Sequence, residues 1–554
     1  MDSVRIFPVT ATLHIETEHL QMWVENGVPI DLEALKRSAT TFEQRIYPTN
    51  HRYFGQEWSP GIDGDPRLVV LNACIQGAAG YFAYANEYPR WVNPHSNQHE
   101  MFVMNLNALS PGTSAYDAVL AHEFQHMIHW NLDRNEETWL NEGASELAED
   151  LNGFGAPTRR LHRFAQEPDV QLNTWTDNPS ELAAHYAASY LIMRYFLNRF
   201  GEHYLRTLVQ SPQNGIASFD AVLAQALPQQ NFTFDDLFAD WLIANILDDP
   251  LTDGPRYGYP QIDLKIQASQ IFTYPYSYEG QVHQYAADYF ELLPPLQRPI
   301  TLQIRFTGAQ MVKLVPNTPT SGRFQWWSGR GDAGHAFLER SFDLSQVSTA
   351  ALSFNIWYDI EPGWDYAYIR VSTNGGKSWE ILRTAKMSTC NPNGNAFAPG
   401  YTGKSGVPLA RTETQPPKWV QETLDLGRFC GQKILLRFDY VTDEAVNKAG
   451  LCLDDFYLES IGFQDDVEKG DSGWQAKGFL RIDNCLPQRY LVQLIELNGD
   501  TFRIHRLPIN TAGEGTAQIK DLGGHVKGAL LIISAITPGT TEIAPYHLHL
   551  EELP

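Results

Sequence analysis

The sequence has no long apolar run, because no segment approaches the roughly 18 consecutive apolar residues that a membrane-spanning helix needs. Basic residues are also scarce: 41 Lys and Arg stand against 65 Asp and Glu, which gives a formal net charge of −24. The basic side chains form no visible cluster, whereas phosphate contacts need clustered Lys and Arg. These features argue against a transmembrane protein and against nucleic acid as a partner.

The start of the sequence, MDSVRIFPVTATLHIET, lacks the apolar segment of a signal peptide. Such a start is expected of a cytoplasmic protein, or of a mature fragment to which a Met has been added. Cysteine is scarce as well, since none of the five cysteines belongs to a C-x-x-C pair. A thiolate zinc site or a thioredoxin-like motif is therefore not expected. Cys390, Cys430 and Cys452 lie in one β-rich region, where they could form one disulfide or remain reduced and buried.

The character of the sequence changes near residue 255. Before it, apolar residues recur at helical spacing, and a helix with a Ser cap is predicted over 180–201. Residues 99–109, HEMFVMNLNAL, predict an edge strand. After residue 255, short alternating or apolar runs separated by Gly, Pro and Asn predict β-sandwiches. The predicted regions are an α+β domain over 1–255, a β-rich connecting segment over 262–320, a β-sandwich over 321–463 and a further β module over 466–554. The connecting segment could stand alone or pair with the last module.

Three histidines lie close together in SAYDAVLAHEFQHMIHWN, residues 114–131: His122, His126 and His129. On a helix, positions four apart share a face, so His122 and His126 can direct two imidazoles at one ion while Glu123 points to its side. Hydrolytic zinc sites need such a pair, a third protein ligand, an open position for water and a carboxylate that takes the water's proton. A surface helix with scattered histidines is the alternative, but this helix is otherwise rich in apolar residues.

A second helix is predicted from TWLNEGASELAE, which follows the polar loop NLDRNEE. A hairpin of two helices can bring Glu142, 16 residues beyond His126, to the third ligand position. Glu146, one turn later, could hold a ligand imidazole through its distal nitrogen. A solvated helix face is the alternative for Glu146 and Glu149. His129 is expected to be structural, because an ion that binds both His126 and His129 could not easily keep His122.

The segment HEFQHMIHWN…ETWLNEGASELAED resembles the hyicolysin family of secreted bacterial metallopeptidases, which belong to the gluzincins. YFGQEWSPGIDGDP and GYFAYANEYPRWVNPHSNQHEMFVMN fit the same pattern, so the resemblance covers roughly residues 1–250. It implies a thermolysin-like α+β catalytic fold, Zn²⁺ as cofactor, Glu123 as general base and secretion after removal of a signal peptide. The spacing between His126 and Glu142 is shorter than in thermolysin, which leaves the loop geometry open. The exopeptidase motif Gly-x-Met-Glu-Asn of aminopeptidases is absent, which favours an endopeptidase.

A peptidase also needs a hydrogen-bond donor for the oxyanion of the tetrahedral intermediate. In gluzincins this donor is a Tyr or His outside the zinc helices, and AAHYAASY offers His185, Tyr186 and Tyr190. Packing of the helix against the core explains Tyr190 more readily. His185 and Tyr186 therefore remain as the two candidate donors.

Residues 324–382, together with LCLDDFYLE at 451–459, resemble the MAM-like jelly-roll module that follows the catalytic domain in immune inhibitor A peptidases. The resemblance implies that the β modules bind substrate or a cell-surface component. Asp365, Asp454 and Asp455 could ligate Ca²⁺, although Asp at strand ends more often marks turns. The RGD tripeptide at 330–332 would suggest adhesion, but three residues recur often by chance.

The sequence therefore predicts a secreted zinc endopeptidase that acts on protein or peptide substrates and carries accessory β-sandwich domains. The residues assigned to its site are His122, His126 and Glu142 for zinc, Glu123 for proton transfer, and His185 or Tyr186 for the oxyanion. One rival hypothesis is a cell-surface binding or adhesion protein with a structural or vestigial metal site, which would have no use for Glu123. A second rival keeps hydrolysis but limits it to short peptides.

Overall fold

The computed structural model describes residues 6–176, 178–295, 298–409, 415–443, 445–499 and 501–554, so the first five residues of the predicted 1–255 domain lie outside the described residues. Internal contacts divide the chain into two compact units. Unit 1 comprises residues 1–310, 488–538 and 543–554, and unit 2 comprises residues 311–487 and 539–542. Within the described ranges, no helix is both long and apolar enough to cross a bilayer.

Unit 1 begins with a mixed β-sheet. Its strands are β1 (Ala11–Glu16), β2 (Leu20–Glu25), β3 (Leu68–Ala73), β4 (Gly80–Phe82) and β5 (Met101–Asn105). The spatial order is β1-β2-β3-β5-β4; β2, β3 and β5 run parallel, and the two outer strands are antiparallel to their neighbours. The prediction of an edge strand at 99–109 is wrong, because β5 is an interior strand and the edge is β4. All of β5 is buried, as an interior strand requires, whereas β4 is too short to show a strand pattern.

Helices form most of the remaining chain up to residue 247. They are α1 (Leu32–Thr41), a π-helical turn (Phe42–Ile46), α2 (Tyr47–Tyr53), a 3₁₀ turn (Tyr84–Glu87), α3 (Ser114–Leu132), α4 (Thr138–Leu151), α5 (Thr158–Gln166), α6 (Pro179–Val209), α7 (Ile216–Ala226) and α8 (Phe234–Leu247). α6 differs from its prediction at both ends. Asn178, not the predicted Ser, caps its start, and the helix continues past Gly201, where a φ of +81° interrupts the helical geometry.

Close packing of α4 against its neighbours fixes the position of its side chains. α4 packs against both α3 and α6, and it approaches α6 at Gly143. A Cβ atom at Gly143 would lie 2.6 Å from the backbone oxygen of Ser189, so only glycine permits this approach. Buried side chains from these helices, such as Phe124, Leu140 and Tyr190, join the same hydrophobic core.

Four strands follow α8 in unit 1: β6 (Ser269–Ile271), β7 (Tyr276–Val282), β8 (Asp288–Leu292) and β9 (Ile300–Gly308). β9 alternates buried and less buried residues along its length, as a strand with one face on a core does. The partners of these strands come from the C-terminal end of the chain.

Unit 2 is rich in β-structure and contains a sandwich. In chain order its strands are β10 (Met311–Val312), β11 (Gln325–Trp327), β12 (His335–Asp343), β13 (Ala351–Ile360), β14 (Tyr366–Ser372), β15 (Glu380–Leu382), β16 (Gly403–Lys404), β17 (Val420–Asp425), β18 (Lys433–Val441), β19 (Gly450–Leu458), β20 (Phe463–Asp465), β21 (Gln475–Lys477), β22 (Leu480–Ile482) and β23 (Leu486–Pro487). One sheet has the order β16-β13-β19-β11-β22; in addition, β17 pairs with β13 and β20 pairs with β19. The other sheet has the order β15-β14-β18-β12-β21. Alternating residues of both sheets form one apolar core.

The structure separates the three aspartates of unit 2 that the sequence offered as calcium ligands, and it places Asp365 in an acidic group with Glu361 and Asp443, whose ligand oxygens lie within 4.8 Å of one another. Asp365 accepts a hydrogen bond from the backbone N–H of Asp443 at 2.9 Å. Asp454 and Asp455 instead bond to Thr320, through its N–H or its hydroxyl. The described acidic group that contains Asp365 includes neither Asp454 nor Asp455. The disulfide alternative is also not realised, because all five cysteines are free.

The last strands of the chain return to unit 1. They are β24 (Tyr490–Asn498), β25 (Thr501–Leu507), β26 (Glu514–Leu522), β27 (Gly528–Ala535) and β28 (Ala544–Leu553). With the four strands that follow α8 they form two sheets, of order β25-β24-β27-β8-β6 and β26-β9-β28-β7. The segment 262–320 thus contributes strands to the same sandwich as the segment 466–554. Two distant stretches of sequence build it, which is the alternative in which the connecting segment pairs with the last module.

This sandwich shares a hydrophobic core with the helices of unit 1. Tyr289 and Ile532 are buried in the same cluster as the helical core residues. Arg506 places its guanidinium 3.0 Å from carboxylate oxygens of both Asp236 and Asp240 on α8. Asp240 is 1% exposed, so this ion pair lies in a poorly solvated place where loss of one partner is costly.

Candidate metal centre

The central turns of α3 carry His122, Glu123 and His126. Thr113 caps the helix by accepting a hydrogen bond from the backbone N–H of Tyr116. The four-residue spacing places the two imidazoles side by side, with ring centroids 4.8 Å apart. Both histidines and Glu123 are largely buried, because α3 lies in the interior of unit 1.

α4 brings Glu142 to these two imidazoles. Glu142 Oε2 lies 3.3 Å from His122 Nε2 and 3.6 Å from His126 Nε2. One ligand atom from each residue falls within 4.8 Å of the other two. Glu142 Oε2 is buried and has no hydrogen-bond partner. The structure therefore brings together the three residues that the sequence assigned to the metal.

A carboxylate holds the far side of the His122 ring. His122 Nδ1 lies 3.0 Å from Glu149 Oε1 and 3.8 Å from Glu146 Oε1. Glu146, one of the two possibilities that the sequence left open for this role, is 1% exposed and forms an ion pair with Arg160 of α5. The solvated-face alternative is therefore wrong for Glu146, and Glu149 makes the shorter contact with the imidazole.

The other imidazole is held by polar groups that the sequence reasoning missed. His126 Nδ1 lies 2.9 Å from Asn141 Oδ1 and 3.2 Å from Ser145 Oγ. Both residues belong to the WLNEGASE segment. The sequence could have indicated Ser145, because residues three or four apart lie on one face of a helix and Ser145 is three positions after Glu142. Partners of this kind orient a ligand imidazole and fix its tautomer.

The charges of the centre favour a cation. Burial lowers the pKa of His122, but the nearby carboxylates of Glu142 and Glu149 outweigh burial and raise this pKa to about 10. Burial raises the pKa of Glu142, but His126 and His122 outweigh it and hold this pKa well below its usual range. Without a metal the cluster therefore takes up protons, for which a metal ion would compete.

Glu123 lies beside the three candidate ligands. Its Oε2 accepts a hydrogen bond from the backbone N–H of Phe82 at 2.8 Å, which ties the carboxylate to the edge strand β4. Burial raises the pKa of Glu123, and the nearby His122 and His126 lower it only in part. The carboxylate is thus fixed in place, 6% exposed, next to the edge strand β4.

The two candidate oxyanion donors lie in different surroundings. Tyr186 lies close enough to Glu142 and Glu123 to feel both charges, and the Arg160 guanidinium lies 4.1 Å from the centre of the Tyr186 ring. Burial, followed by the charge of Glu142, raises the pKa of Tyr186 well above its usual value, so the hydroxyl keeps its proton. His185 instead lies against Trp175, with ring centroids 5.9 Å apart, and its Nδ1 is buried without a hydrogen-bond partner. The structure therefore brings Tyr186 to the centre.

Tyr190 and His129 are buried in the helical core. The Tyr190 hydroxyl donates to Asp150 at 2.7 Å and the ring is fully buried. His129 is also fully buried, and burial lowers its pKa to about 3. Among the described residues, the groups whose ligand atoms lie within 4.8 Å of one another do not include His129.

Comparison with known proteins adds a family for the β-rich half. Residues 304–484 match the family "Immune inhibitor A-like, MAM domain". The match agrees with the sandwich of unit 2 and with the resemblance in the sequence.

Several curated relatives match parts of the chain. The pre-pro-metalloprotease PrtV of Vibrio cholerae serotype O1 is 32% identical over 165 residues, which are 29% of this chain and 16% of the relative. Immune inhibitor A of Bacillus thuringiensis subsp. alesti is 30% identical over 166 residues, 29% of this chain and 21% of the relative. The neutral metalloprotease ShpI of Staphylococcus hyicus is 25% identical over 232 residues, 37% of this chain and 51% of the relative. The chain thus spans between 16% and 51% of the length of these relatives.

Proposed function

We propose that the protein is a secreted, zinc-dependent endopeptidase that hydrolyses polypeptides. The observation that carries the proposal is Glu142 Oε2, a buried oxygen without a hydrogen-bond partner that faces the Nε2 atoms of His122 and His126. The names of two relatives, metalloproteases of Vibrio cholerae and Staphylococcus hyicus, support the same chemistry.

The donor set fits zinc. Two imidazole nitrogens and one carboxylate oxygen are the ligands that hydrolytic zinc sites use, with a further position left for water. The group found among the described residues holds these three ligands and no fourth. When bound, zinc supplies Lewis acidity that lowers the pKa of water at the site toward about 7. A structural zinc site would instead be closed by a fourth protein ligand.

Glu123 is the general base in this proposal. It takes a proton from the attacking water and passes that proton to the leaving amine. The hydrogen bond from Phe82 N–H fixes the orientation of the carboxylate, so little reorganisation precedes proton transfer. β4 is an edge strand beside Glu123, and edge strands are where extended polypeptides add to a sheet. Pairing of that kind needs no chain terminus in the substrate, which favours an endopeptidase over an exopeptidase.

Tyr186 is the proposed oxyanion donor. Replacing Tyr186 with Phe is expected to lower kcat by about 10²–10³-fold, the usual cost of losing one such donor, with zinc content and KM little changed. Tyr190→Phe makes the same chemical change one helical turn away and should keep kcat within a few-fold. Steady-state kinetics on a quenched fluorescent peptide, with metal analysis of each sample, measures both effects. Activity that survives Tyr186→Phe but disappears in His185→Gln would assign the donor to His185.

Removal and return of the metal tests the proposal as a whole. The full chain is stripped with a chelator, dialysed, and reloaded with one equivalent of Zn²⁺ or of Ca²⁺. We expect cleavage of an unfolded protein to disappear with the zinc and to return with Zn²⁺ but not with Ca²⁺. A reloaded protein that holds one zinc and cleaves neither unfolded protein nor short peptides would contradict the proposal and favour the structural-metal hypothesis. Cleavage of short peptides alone would favour the second rival.

The adhesion hypothesis finds no support at the RGD tripeptide. Arg330 Nε and Nη2 are buried, whereas an adhesion loop needs an accessible guanidinium. Asp332 is engaged by a hydrogen bond from Asn447.

A further inference from the structure

Buried polar side chains continue from the metal centre into the interior of unit 1. Behind His126 lie Ser145 of α4 and then Gln125 and His129 of α3, and these three residues are 0% exposed. Buried hydroxyls, amides and imidazoles cost free energy unless they are hydrogen-bonded. The four side chains are linked one after another by hydrogen bonds, so the direction of each bond can be worked out from its donors and acceptors.

The Ser145 hydroxyl is the link next to the metal ligand. Its Oγ lies 2.5 Å from Gln125 Oε1 and 3.2 Å from His126 Nδ1. Because an amide oxygen can only accept, the hydroxyl donates its single hydrogen to Gln125. Toward His126 the hydroxyl then offers only lone pairs, so His126 Nδ1 must be the donor. Asn141 Oδ1, at 2.9 Å, is a second acceptor for the same nitrogen.

The orientation of the Gln125 amide decides this direction. Gln125 Nε2 lies 3.4 Å from His129 Nδ1, and an amide nitrogen can only donate, so His129 Nδ1 accepts. Turning the amide over would place its nitrogen against Ser145 and its oxygen against His129. The Ser145 hydroxyl would then accept from the amide and be left to donate to His126. His129 therefore favours the orientation in which Gln125 takes the serine hydrogen.

This direction matters for metal binding because it selects one tautomer of His126. A neutral imidazole carries its hydrogen on one of its two nitrogens. With the hydrogen on Nδ1, the lone pair is on Nε2, the atom that lies 3.6 Å from Glu142 Oε2. A hydrogen bond donated to Nδ1 would instead place the hydrogen on Nε2, where it would compete with a metal ion. Outer partners of a ligand imidazole are known to fix its tautomer in this way.

We propose that Gln125 is a positioning residue for His126, that it acts through the Ser145 hydroxyl, and that His129 holds the Gln125 amide in the orientation this requires. The inference rests on the zinc site of the proposed function. It gives Gln125 an effect on zinc affinity although its two hydrogen bonds go to Ser145 and His129. It also gives the third histidine of the segment a role outside the ligand set.

The test compares Gln125→Met with and without the Ser145 hydroxyl. Competition of the full chain against a chelator of known affinity measures zinc binding. Gln125→Met removes the acceptor for Ser145 and should lower zinc affinity about 10–100-fold, the usual cost of losing an outer partner. Ser145→Ala alone should cost only a few-fold, because Asn141 still accepts from His126. In Gln125→Met/Ser145→Ala the misdirected hydroxyl is gone, so zinc affinity should return to that of Ser145→Ala.

The variants of the other residues complete the comparison. His129→Met should also lower zinc affinity, and Ser145→Ala should again restore it. Gln493→Met is the matched control, because Gln493 is equally buried in unit 1 and bonds the backbone oxygen of Ala239. It should bind zinc as the wild type does. Tm is measured for every variant, so that a loss of zinc through unfolding is recognised.

The restoring effect of Ser145→Ala separates positioning from packing. If Gln125 serves only to fill the core, the losses of Gln125→Met and Ser145→Ala should add, and this result would overturn the proposal. Unchanged zinc affinity in Gln125→Met would also overturn it, and unchanged affinity in His129→Met would contradict the role of His129. If Gln125→Met does not fold, His129→Met with and without Ser145→Ala provides the same comparison. A wild type that binds no zinc would instead overturn the proposed function, so the two failures are distinguishable.

Discussion

Replacing Glu123 with Gln is expected to lower kcat for cleavage of an unfolded protein on the order of 10³-fold, within the range that general acid–base groups contribute. The amide keeps the size of the side chain and can still accept the hydrogen bond from Phe82 N–H. It cannot take a proton from water, so only the proton-transfer role is lost. Kinetics and metal analysis on the same samples should show low activity with one zinc per chain, as in the wild type.

Two controls make the Glu123 result decisive. Glu167→Gln makes the same chemical change at an exposed position and should leave kcat unchanged. Tm should also stay close to that of the wild type in both variants, which would exclude unfolding as the cause. Residual activity above a tenth of wild type would reject Glu123 as the base. Loss of zinc together with activity would show that Glu123 helps to hold the metal instead.

Replacing Glu142 with Gln is expected to abolish zinc binding at concentrations that saturate the wild type, and with it all measurable cleavage. An amide oxygen carries no full negative charge, and two neutral imidazoles alone hold zinc weakly. Glu149→Gln should weaken zinc binding less than Glu142→Gln, because Glu149 contacts His122 Nδ1 and does not face the metal position. Loss of such an outer partner typically lowers metal affinity about 10–100-fold. Competition of each variant against a zinc chelator of known affinity measures the difference.

Which of the two variants, Glu142→Gln or Glu149→Gln, loses more zinc affinity also distinguishes between two possible metal positions. His122, Glu146 and Glu149 form a second group whose ligand atoms lie within 4.8 Å of one another. If the metal occupied that group, Glu149→Gln would lose zinc and Glu142→Gln would retain it. The buried and unpaired Oε2 of Glu142 leads us to expect the opposite order.

Local spacing predicted the parts of the centre that depend on one helix. His122, Glu123 and His126 follow from helical geometry alone, and Glu142 follows from a hairpin of two adjacent helices. The choice between Glu146 and Glu149 depends on the rotation of α4 about its axis. The close approach of α4 to α6 at Gly143 helps to fix that rotation, and a sequence pattern does not contain this non-local contact.

Non-local packing also explains the other differences. Tyr186 and His185 are neighbours in sequence, and only the placement of α6 decides which one reaches Glu142. The β-rich character after residue 255 followed from alternation of apolar residues. The pairing of β9 with both β26 and β28 joins segments about two hundred residues apart, which alternation does not encode.

The divided sandwich of unit 1 has a consequence for synthesis of the protein. β9 emerges from the ribosome long before its partners β26 and β28, and β8 before β27. Until those partners arrive, the early strands have open edges, and α8 lacks the guanidinium of Arg506 beside Asp240. Contacts of such long sequence separation form late and slowly. The helical region that carries the metal centre is therefore completed only when the final strands have been made, and removing those strands would cause misfolding rather than the loss of an accessory module.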